Sequence, residues 1–200
     1  MARPRFEDVR RPIVRATFDC VARKGVSGMS VREVARITGL STGTVTHHFG
    51  TRRELLLRAI EYGFEHLRPE FTALEPATAL GWIIQQYDLS QQVRRTWWQF
   101  WLAVTVEAPT NPTVAEQMRQ QLDAITDRWR TGLDAVGTDR LSADVDLATA
   151  ARQLATFGNG LIIDQLIDPS CSARAVIELK RRVEDLGVPR AALESKSISQ

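Results

Sequence analysis

The stretch SVREVARITGLSTGTVTHHFG, residues 30–50, predicts two short helices separated by a tight turn. Ser30 and Glu33 form a capping-box pattern, in which a hydroxyl and a carboxylate each satisfy a free backbone N–H at the start of a helix. Gly39 ends that helix because it can adopt the positive φ of a C-terminal cap, and Ser41 caps the next one. The pattern predicts a helix-turn-helix unit, whose second helix enters the major groove of DNA.

Helical patterns flank this unit on both sides. Val14 and Phe18 lie one turn apart on the apolar face of a preceding helix, which is expected to end at Gly25. After the unit, Thr51 and Glu54 repeat the capping-box pattern and open a further helix. The N-terminal segment therefore predicts a compact helical head.

Charge is distributed unevenly along the chain. Residues 1–58 contain 12 Lys/Arg and 5 Asp/Glu, a net charge of +7, whereas residues 59–200 contain 14 and 19, a net charge of −5. A basic head on an acidic remainder favours binding of the head to a polyanion such as DNA. The N-terminal arginines are Arg3, Arg5, Arg10 and Arg11. They fit either an arm over the DNA backbone or minor groove or a solubilising tail.

Several protein classes lack support in the sequence. No stretch approaches the roughly 20 apolar residues of a membrane helix, and no apolar segment follows the arginine-rich N-terminus, so a cytoplasmic protein is expected. Cys20 and Cys171 are far apart and are interpreted as core residues. His47 and His48 diverge by about 100° on a helix, which disfavours a metal site. We predict no metal or cofactor, and no enzyme, because no nucleophile, base and orienting group recur at useful spacing.

The second helix of the unit carries most of the candidate DNA contacts. Val45 and Phe49 lie one turn apart on its apolar face and are expected to pack inward. The remaining side chains are small or polar, so they can approach base edges or phosphates. An ordinary helical hairpin has the same breaks, but the basic charge favours DNA binding. The candidates on this helix are Thr42, Gly43, Thr44, Thr46, His47 and His48.

The head resembles that of TetR-type transcriptional regulators. The resemblance rests on SVREVA at 30–35, GLSTGTV at 39–45, the His-Phe pair at 48–49 and RRELL at 52–56. It implies a dimer that binds a palindromic operator and represses transcription until a ligand fills the C-terminal domain. Thr46 departs from the pattern, because many members carry a tyrosine there, and a threonine does not reach as far.

The resemblance also implies roles for individual residues. Arg32 matches a position that reaches a base edge, and a planar guanidinium suits the acceptors of guanine. Thr42 and Thr44 match positions that face bases, whereas His48 and Arg52 match phosphate contacts. The full set of predicted DNA-binding residues is Arg32, Ser41, Thr42, Gly43, Thr44, Thr46, His47, His48 and Arg52.

The remainder of the chain consists of helical patterns with short breaks and lacks the alternation of β-strands. An all-α fold is therefore predicted. The expected domains are a helix-turn-helix head at 1–58 and a helical ligand-binding and dimerisation domain at 59–190. A frayed polar tail is expected at 191–200.

An aromatic cluster occupies residues 94–101, RRTWWQFW. A heavy aromatic core explains it, and so does a ligand pocket, because pockets in helical bundles are mostly apolar and aromatic. With Asn111-Pro112 after it, the segment also resembles part of the C-terminal domain of choline-responsive repressors of the BetI kind, a resemblance that extends over residues 80–187. It implies an aromatic cage for a quaternary ammonium. The predicted ligand-binding residues are Trp82, Tyr87, Trp97, Trp98, Phe100, Trp101, Trp129, Phe157 and Asn159.

Two late apolar stripes at helical spacing predict self-association. They fit an intermolecular four-helix bundle, although a purely intramolecular core has the same spacing. The predicted interface residues are Leu147, Ala151, Leu154, Leu161, Val176, Leu179, Val183 and Leu186.

Together these features predict a dimeric, ligand-responsive regulator, most simply a repressor, that reads two half-sites of operator DNA roughly 34 to 36 Å apart. Its expected partners are double-stranded operator DNA, a second copy and a small-molecule effector, with no membrane. The alternative is a ligand-independent DNA-binding or architectural protein, which would lack a cavity.

Overall fold

The computed structural model describes residues 6–66, 76–137, 141–142 and 145–193. This part of the chain is helical and contains no strand, which confirms the predicted all-α fold. Short 3-10 helices follow α6, α8 and α9. The α-helices of the described residues are α1 (Phe6–Lys24), α2 (Val31–Thr38), α3 (Thr42–Phe49), α4 (Arg52–His66), α5 (Pro76–Gln85), α6 (Gln92–Thr105), α7 (Pro112–Asp134), α8 (Leu147–Ile167) and α9 (Ser172–Glu184).

The chain divides into two compact units. Unit 1 comprises Met1–Pro69 and Thr96–Met118, and unit 2 comprises Glu70–Arg95 and Arg119–Gln200. The boundary expected at residue 58 falls inside α4, which lies within unit 1 and packs on α1. Helices α6 and α7 each begin in one unit and continue into the other.

Aromatic side chains form the core of unit 1 where α1, α4 and α6 meet. The ring of Phe18 stacks on Phe100 with 4.2 Å between the ring centroids. Gly63 on α4 makes this approach feasible, since a Cβ there would lie 3.0 Å from the Phe18 ring. The indole N–H of Trp97 donates a hydrogen bond to the Gly63 carbonyl over 3.1 Å. The part of α6 from Thr96 onward therefore belongs to unit 1.

In unit 2, the loop before α6 is held by contacts with α8 and α7. The ring of Tyr87 lies so close to Gly158 that a Cβ there would be 2.4 Å from it. The buried amide of Gln165 donates to the Tyr87 carbonyl over 2.9 Å and accepts from the Leu89 N–H over 3.1 Å. The Trp129 indole donates to the Tyr87 hydroxyl over 3.2 Å. The loop thus has one defined position on α8.

The C-terminal segment begins in ordered structure. Arg190–Leu193 form a 3-10 helix that packs on α5, and Leu193 is buried. The predicted tail is therefore helical at its start, and its remainder, residues 194–200, lies outside the described residues, as do Arg3 and Arg5. No helix in the described ranges combines the length and hydropathy of a membrane span.

Candidate nucleic-acid interface

The helix-turn-helix is built by two serine N-caps and a glycine C-cap that the sequence predicts. The Glu33 half of the predicted capping box is not formed among the described residues, because that carboxylate binds Lys24 and Arg36 instead. The Ser30 hydroxyl accepts a hydrogen bond from the Glu33 N–H over 3.1 Å at the start of α2. Gly39 ends α2 with φ 71°, a conformation that residues other than glycine rarely adopt. The Ser41 hydroxyl then accepts from the Thr44 N–H over 3.0 Å at the start of α3. These contacts set the turn between the two helices.

Helix α3 is polar on its exposed side, and buried apolar side chains on its other side hold it in place. Val45 and Phe49 are buried, as predicted. The guanidinium of Arg10 lies 5.0 Å from the centroid of the Phe49 ring, a cation–π contact that ties α1 to the end of α3. Of the predicted DNA contacts in this part of the head, Ser41, Thr42, Gly43, Thr46 and His47 are exposed, and Thr44 and His48 are half-buried.

Arg32 differs from its basic neighbours because no carboxylate of the described residues pairs with it. Lys24 and Arg36 both pair with Glu33, over 2.6 Å and 2.9 Å. Hydrogen bonds from Arg36 and Lys24 hold the pKa of Glu33 at about 2. Arg32 is exposed on the same helix, and the described residues give it no ion pair. Its charge is therefore available to an external acceptor.

Arg52 has an internal role that the sequence did not reveal. Its Nε donates to the Met29 carbonyl over 2.8 Å, and its Nη2 donates to the Val26 carbonyl over 2.5 Å. The side chain thereby joins the start of α4 to the turn between α1 and α2. A guanidinium has five N–H donors, so these bonds leave others for a phosphate.

Arg53 was also absent from the predicted site. Its Nη2 donates to the Thr113 hydroxyl over 2.5 Å, which links the first turn of α4 to the first turn of α7 within unit 1. The partners are sixty positions apart, so no local pattern indicates them.

The predicted ligand-binding residues are divided between the units. Trp97, Trp98, Phe100 and Trp101 belong to unit 1, and Trp82, Tyr87, Trp129, Phe157 and Asn159 belong to unit 2.

Some of these side chains have properties of core residues and others retain unused polar atoms. Trp98 and Trp101 are buried, and their ring centroids lie 5.4 Å apart. The Trp101 indole nitrogen and the Asn159 side-chain oxygen are buried without a hydrogen-bond partner among the described residues. Phe157 is 38% exposed. The ligand role of these residues stays a prediction.

The predicted interface stripes on α8 and α9 point largely into the chain itself. Ala151, Leu154, Leu161, Leu179 and Val183 are buried within unit 2, whereas Leu147, Val176 and Leu186 are half-buried. The apolar side chains that these two helices expose are different ones: Phe157, Ile163, Ile167 and Ile177. The periodicity identified the stripes, but an intramolecular core has the same period and accounts for the buried members.

The described residues contain no group of three or more His, Cys, Asp or Glu side chains placed to hold a metal ion.

Two family models match the chain. The model of bacterial regulatory proteins of the tetR family matches residues 13–59, and that of the BetI-type transcriptional repressor C-terminal domain matches residues 76–187. The chain belongs to the TetR family. It is therefore a transcriptional regulator of TetR/BetI type and not an enzyme. The first match covers the helix-turn-helix described above.

Relatives of known name agree with this assignment. The BetI regulator of Agrobacterium fabrum is 28% identical over 159 residues, which cover 77% of this chain and 75% of the relative. The PksA regulator of Bacillus subtilis is 24% identical over 174 residues, which cover 82% and 81%.

Solved structures share the fold. A transcriptional regulator from Rhodococcus sp. Rha1 superposes with a TM-score of 0.70 at 27% identity, covering 90% of this chain and 98% of that one. A regulator from Saccharomonospora viridis, solved in complex with choline, gives a TM-score of 0.74 at 23% identity, covering 92% and 100%.

Proposed function

We propose that this TetR-family chain acts as a dimeric repressor that leaves a palindromic operator when a small molecule binds. The observation that carries the proposal is the surface formed by α3 and Arg32. Helix α3 is polar and exposed, and Arg32 has no carboxylate partner among the described residues. Such a helix fits the major groove, where guanidinium and hydroxyl groups read base edges.

DNA contacts divide into reading and positioning groups. Arg32, Thr42 and Thr44 face base edges in this proposal, and the α3 N-terminus, His48 and Arg52 bind phosphates. Arg52 does so while it holds the α1–α2 turn, so loss of Arg52 affects both the phosphate contact and the position of α2.

The proposed palindromic operator requires a dimer, because each copy of the chain reads one half-site. Helix-turn-helix dimers read half-sites roughly 34 to 36 Å apart, and a two-fold protein matches a palindrome. The exposed apolar side chains of α8 and α9 supply the contact surface in place of the buried stripes: Phe157, Ile163, Ile167 and Ile177.

A quaternary ammonium alcohol is the effector class that we propose. The Saccharomonospora viridis regulator was solved in complex with choline. The cluster on α6 contains three tryptophans, and tryptophan is the side chain whose ring face binds cations best. Trp97 and Trp98 meet edge to face at 4.8 Å, and so do Trp98 and Trp101 at 5.4 Å. The buried Trp101 N–H lacks an acceptor among the described residues, and the hydroxyl of choline is an acceptor of suitable size.

Effector and operator are coupled through the conformation of the protein. If choline favours a state in which the heads no longer match the half-sites, then DNA weakens choline binding by the same factor. A coupling of about 1 to 3 kcal/mol changes either affinity roughly 5- to 150-fold.

The test begins with selection of binding sites from random duplex DNA, which is expected to yield a palindrome. Choline chloride is then titrated into the protein–operator complex while DNA anisotropy and tryptophan emission are followed. Both signals are expected to change over one concentration range. The variant Trp101→Phe keeps an aromatic ring but removes the indole N–H donor, so it should raise the choline concentration required and leave effector-free DNA affinity unchanged.

Two results would contradict parts of the proposal. Enrichment of DNA without sequence preference would refute operator recognition. Unchanged anisotropy and emission up to millimolar choline would refute the effector class, and the same outcome with other small cations would favour the ligand-independent alternative.

A further inference from the structure

Arg53 carries a positive charge that no carboxylate of the described residues neutralises. It lies exposed in the first turn of α4. The carboxylate next to it in sequence, that of Glu54, binds Arg58 over 3.0 Å, and Glu61 binds the same guanidinium over 2.9 Å. Within the described part of the chain, the hydrogen-bond partner of Arg53 is the neutral hydroxyl of Thr113. The charge of Arg53 therefore stays available to an external anion.

The hydroxyl that accepts this hydrogen bond has a defined position. At the start of α7, the side-chain oxygen of Asn111 accepts a hydrogen bond from the Val114 N–H over 3.4 Å, and Val114 is fully buried. Thr113 lies between these two residues and is half-buried. The Arg53 Nη2 donates to it over 2.5 Å. The long arginine side chain is thus held at both ends, by α4 at its backbone and by α7 at its guanidinium.

The start of α4 lies beside the proposed DNA-binding surface. The Arg52 Nε donates to the Met29 carbonyl over 2.8 Å, and the next residue, Ser30, is the N-cap of α2. Arg32 lies in the first turn of that helix. Consecutive Cα atoms are about 3.8 Å apart, and side chains of neighbouring helical residues diverge by about 100°. Arg53 is therefore at the edge of the surface, on the side of α4 that turns toward α7.

An arginine that is already ordered loses less side-chain freedom when it binds a phosphate. Fixing a long, flexible side chain costs conformational entropy, and the bond to Thr113 has fixed this one before DNA arrives. That bond uses one of the five N–H donors of the guanidinium, so four remain. A phosphate oxygen is a charged acceptor and binds a guanidinium more strongly than a hydroxyl does.

We infer that Arg53 binds a phosphate of the DNA backbone and that Thr113 positions its guanidinium for this contact. The inference rests on the proposed function, because it takes α3 and Arg32 as the DNA-reading surface. It adds a phosphate contact at the edge of that surface, made by a residue that α7 orients. A phosphate contact carries no sequence information, so this one strengthens binding to every duplex alike.

The salt dependence of DNA binding tests the phosphate contact. Full-length Arg53→Gln keeps a polar side chain but loses the charge. It should lower the slope of log affinity against log salt concentration by about one unit, and weaken binding roughly tenfold at low salt. Fluorescence anisotropy with a labelled duplex of arbitrary sequence measures both quantities, since neither an operator nor an effector is required.

The matched control is Arg58→Gln on the same helix. It removes the same charge, but from a guanidinium that already binds the carboxylates of Glu54 and Glu61. Its salt slope should change by less than about half a unit, because no phosphate contact is lost. An equal change of slope in both variants would assign the effect to the net charge of the head and overturn the contact.

Variants of Thr113 test the positioning role. Thr113→Val keeps the shape of the side chain and removes the hydroxyl, whereas Thr113→Ser keeps the hydroxyl. Thr113→Val should retain the wild-type salt slope, because Arg53 keeps its charge, and weaken binding roughly three- to tenfold. Thr113→Ser should bind like the wild type. In the Arg53→Gln background, Thr113→Val should have no further effect, since the two residues act through one contact.

The outcomes separate this inference from the proposed function. A wild type that binds no DNA overturns both. An unchanged salt slope in Arg53→Gln overturns the phosphate contact, and an equal effect of Thr113→Val in both backgrounds overturns the positioning role; either result leaves operator recognition intact. A lower slope in Arg53→Gln, found together with binding that has no sequence preference, upholds the contact and refutes operator recognition. A lower Tm in both single variants with wild-type DNA binding would assign the hydrogen bond to folding stability alone.

Discussion

Replacement of Arg52 by lysine separates its internal role from its proposed phosphate contact. Arg52 donates two hydrogen bonds to the backbone carbonyls of Val26 and Met29, and these acceptors lie in the turn that positions α2. Lysine keeps the positive charge but lacks the fork that reaches both carbonyls. Arg52→Lys should therefore retain phosphate attraction and lose most of the internal contact.

The magnitude follows from the two lost bonds. Hydrogen bonds from a charged donor contribute about 1.5 to 3 kcal/mol each, and partial exposure of this side chain reduces that to about 1 kcal/mol each. A loss of about 2 kcal/mol lowers Tm by roughly 4 to 8 °C in a chain of this size. Arg52→Ala should lose a similar stability and, in addition, about one unit of the salt slope of DNA binding.

Thermal unfolding followed by circular dichroism, together with DNA affinity at several salt concentrations, measures both effects. Unfolding of Arg52→Lys at the wild-type temperature would refute the internal role of Arg52, because the carbonyl contacts would then contribute nothing to stability. Loss of stability without any change of salt slope in Arg52→Ala would instead remove the phosphate role and retain the internal one.

Further predictions concern base reading, packing and pH. Arg32→Ala should change the preference among operator variants by roughly 1 to 3 kcal/mol per read base, and a uniform loss across sequences in a competition assay would contradict this role. Gly158→Ala should cost about 1 to 3 kcal/mol in urea unfolding, because the added Cβ would lie 2.4 Å from the Tyr87 ring, whereas wild-type stability would show that the ring can move. Since Arg36 and Lys24 lower the pKa of Glu33 to about 2, its ion pairs contribute stability that is complete above the unfolded pKa of about 4.3 and is lost as pH falls toward 2. Glu33→Gln should remove that part of the acid dependence. If the stability of the variant falls between pH 5 and 2 as much as that of the wild type, the ion pairs of Glu33 do not contribute to it.

Local sequence patterns determined the head of this protein. The caps at Ser30, Gly39 and Ser41 act within three or four residues, so their chemistry is visible in the sequence, and each forms the predicted contact or backbone conformation. Helical periodicity likewise identified the buried side of α3, where Val45 and Phe49 lie.

Only the tertiary structure decided which long-range partners these residues have. The sequence marked Arg52 as a basic group at the start of a helix, but its acceptors at Val26 and Met29 depend on how α4 packs beside the α1–α2 turn. The stripe through Leu154 and Val183 has a helical period whichever surface covers it, and packing within unit 2 buries both. The period of apolar residues shows that one face of a helix is buried. It does not show which surface buries that face, because the hydrophobic effect has no directional preference.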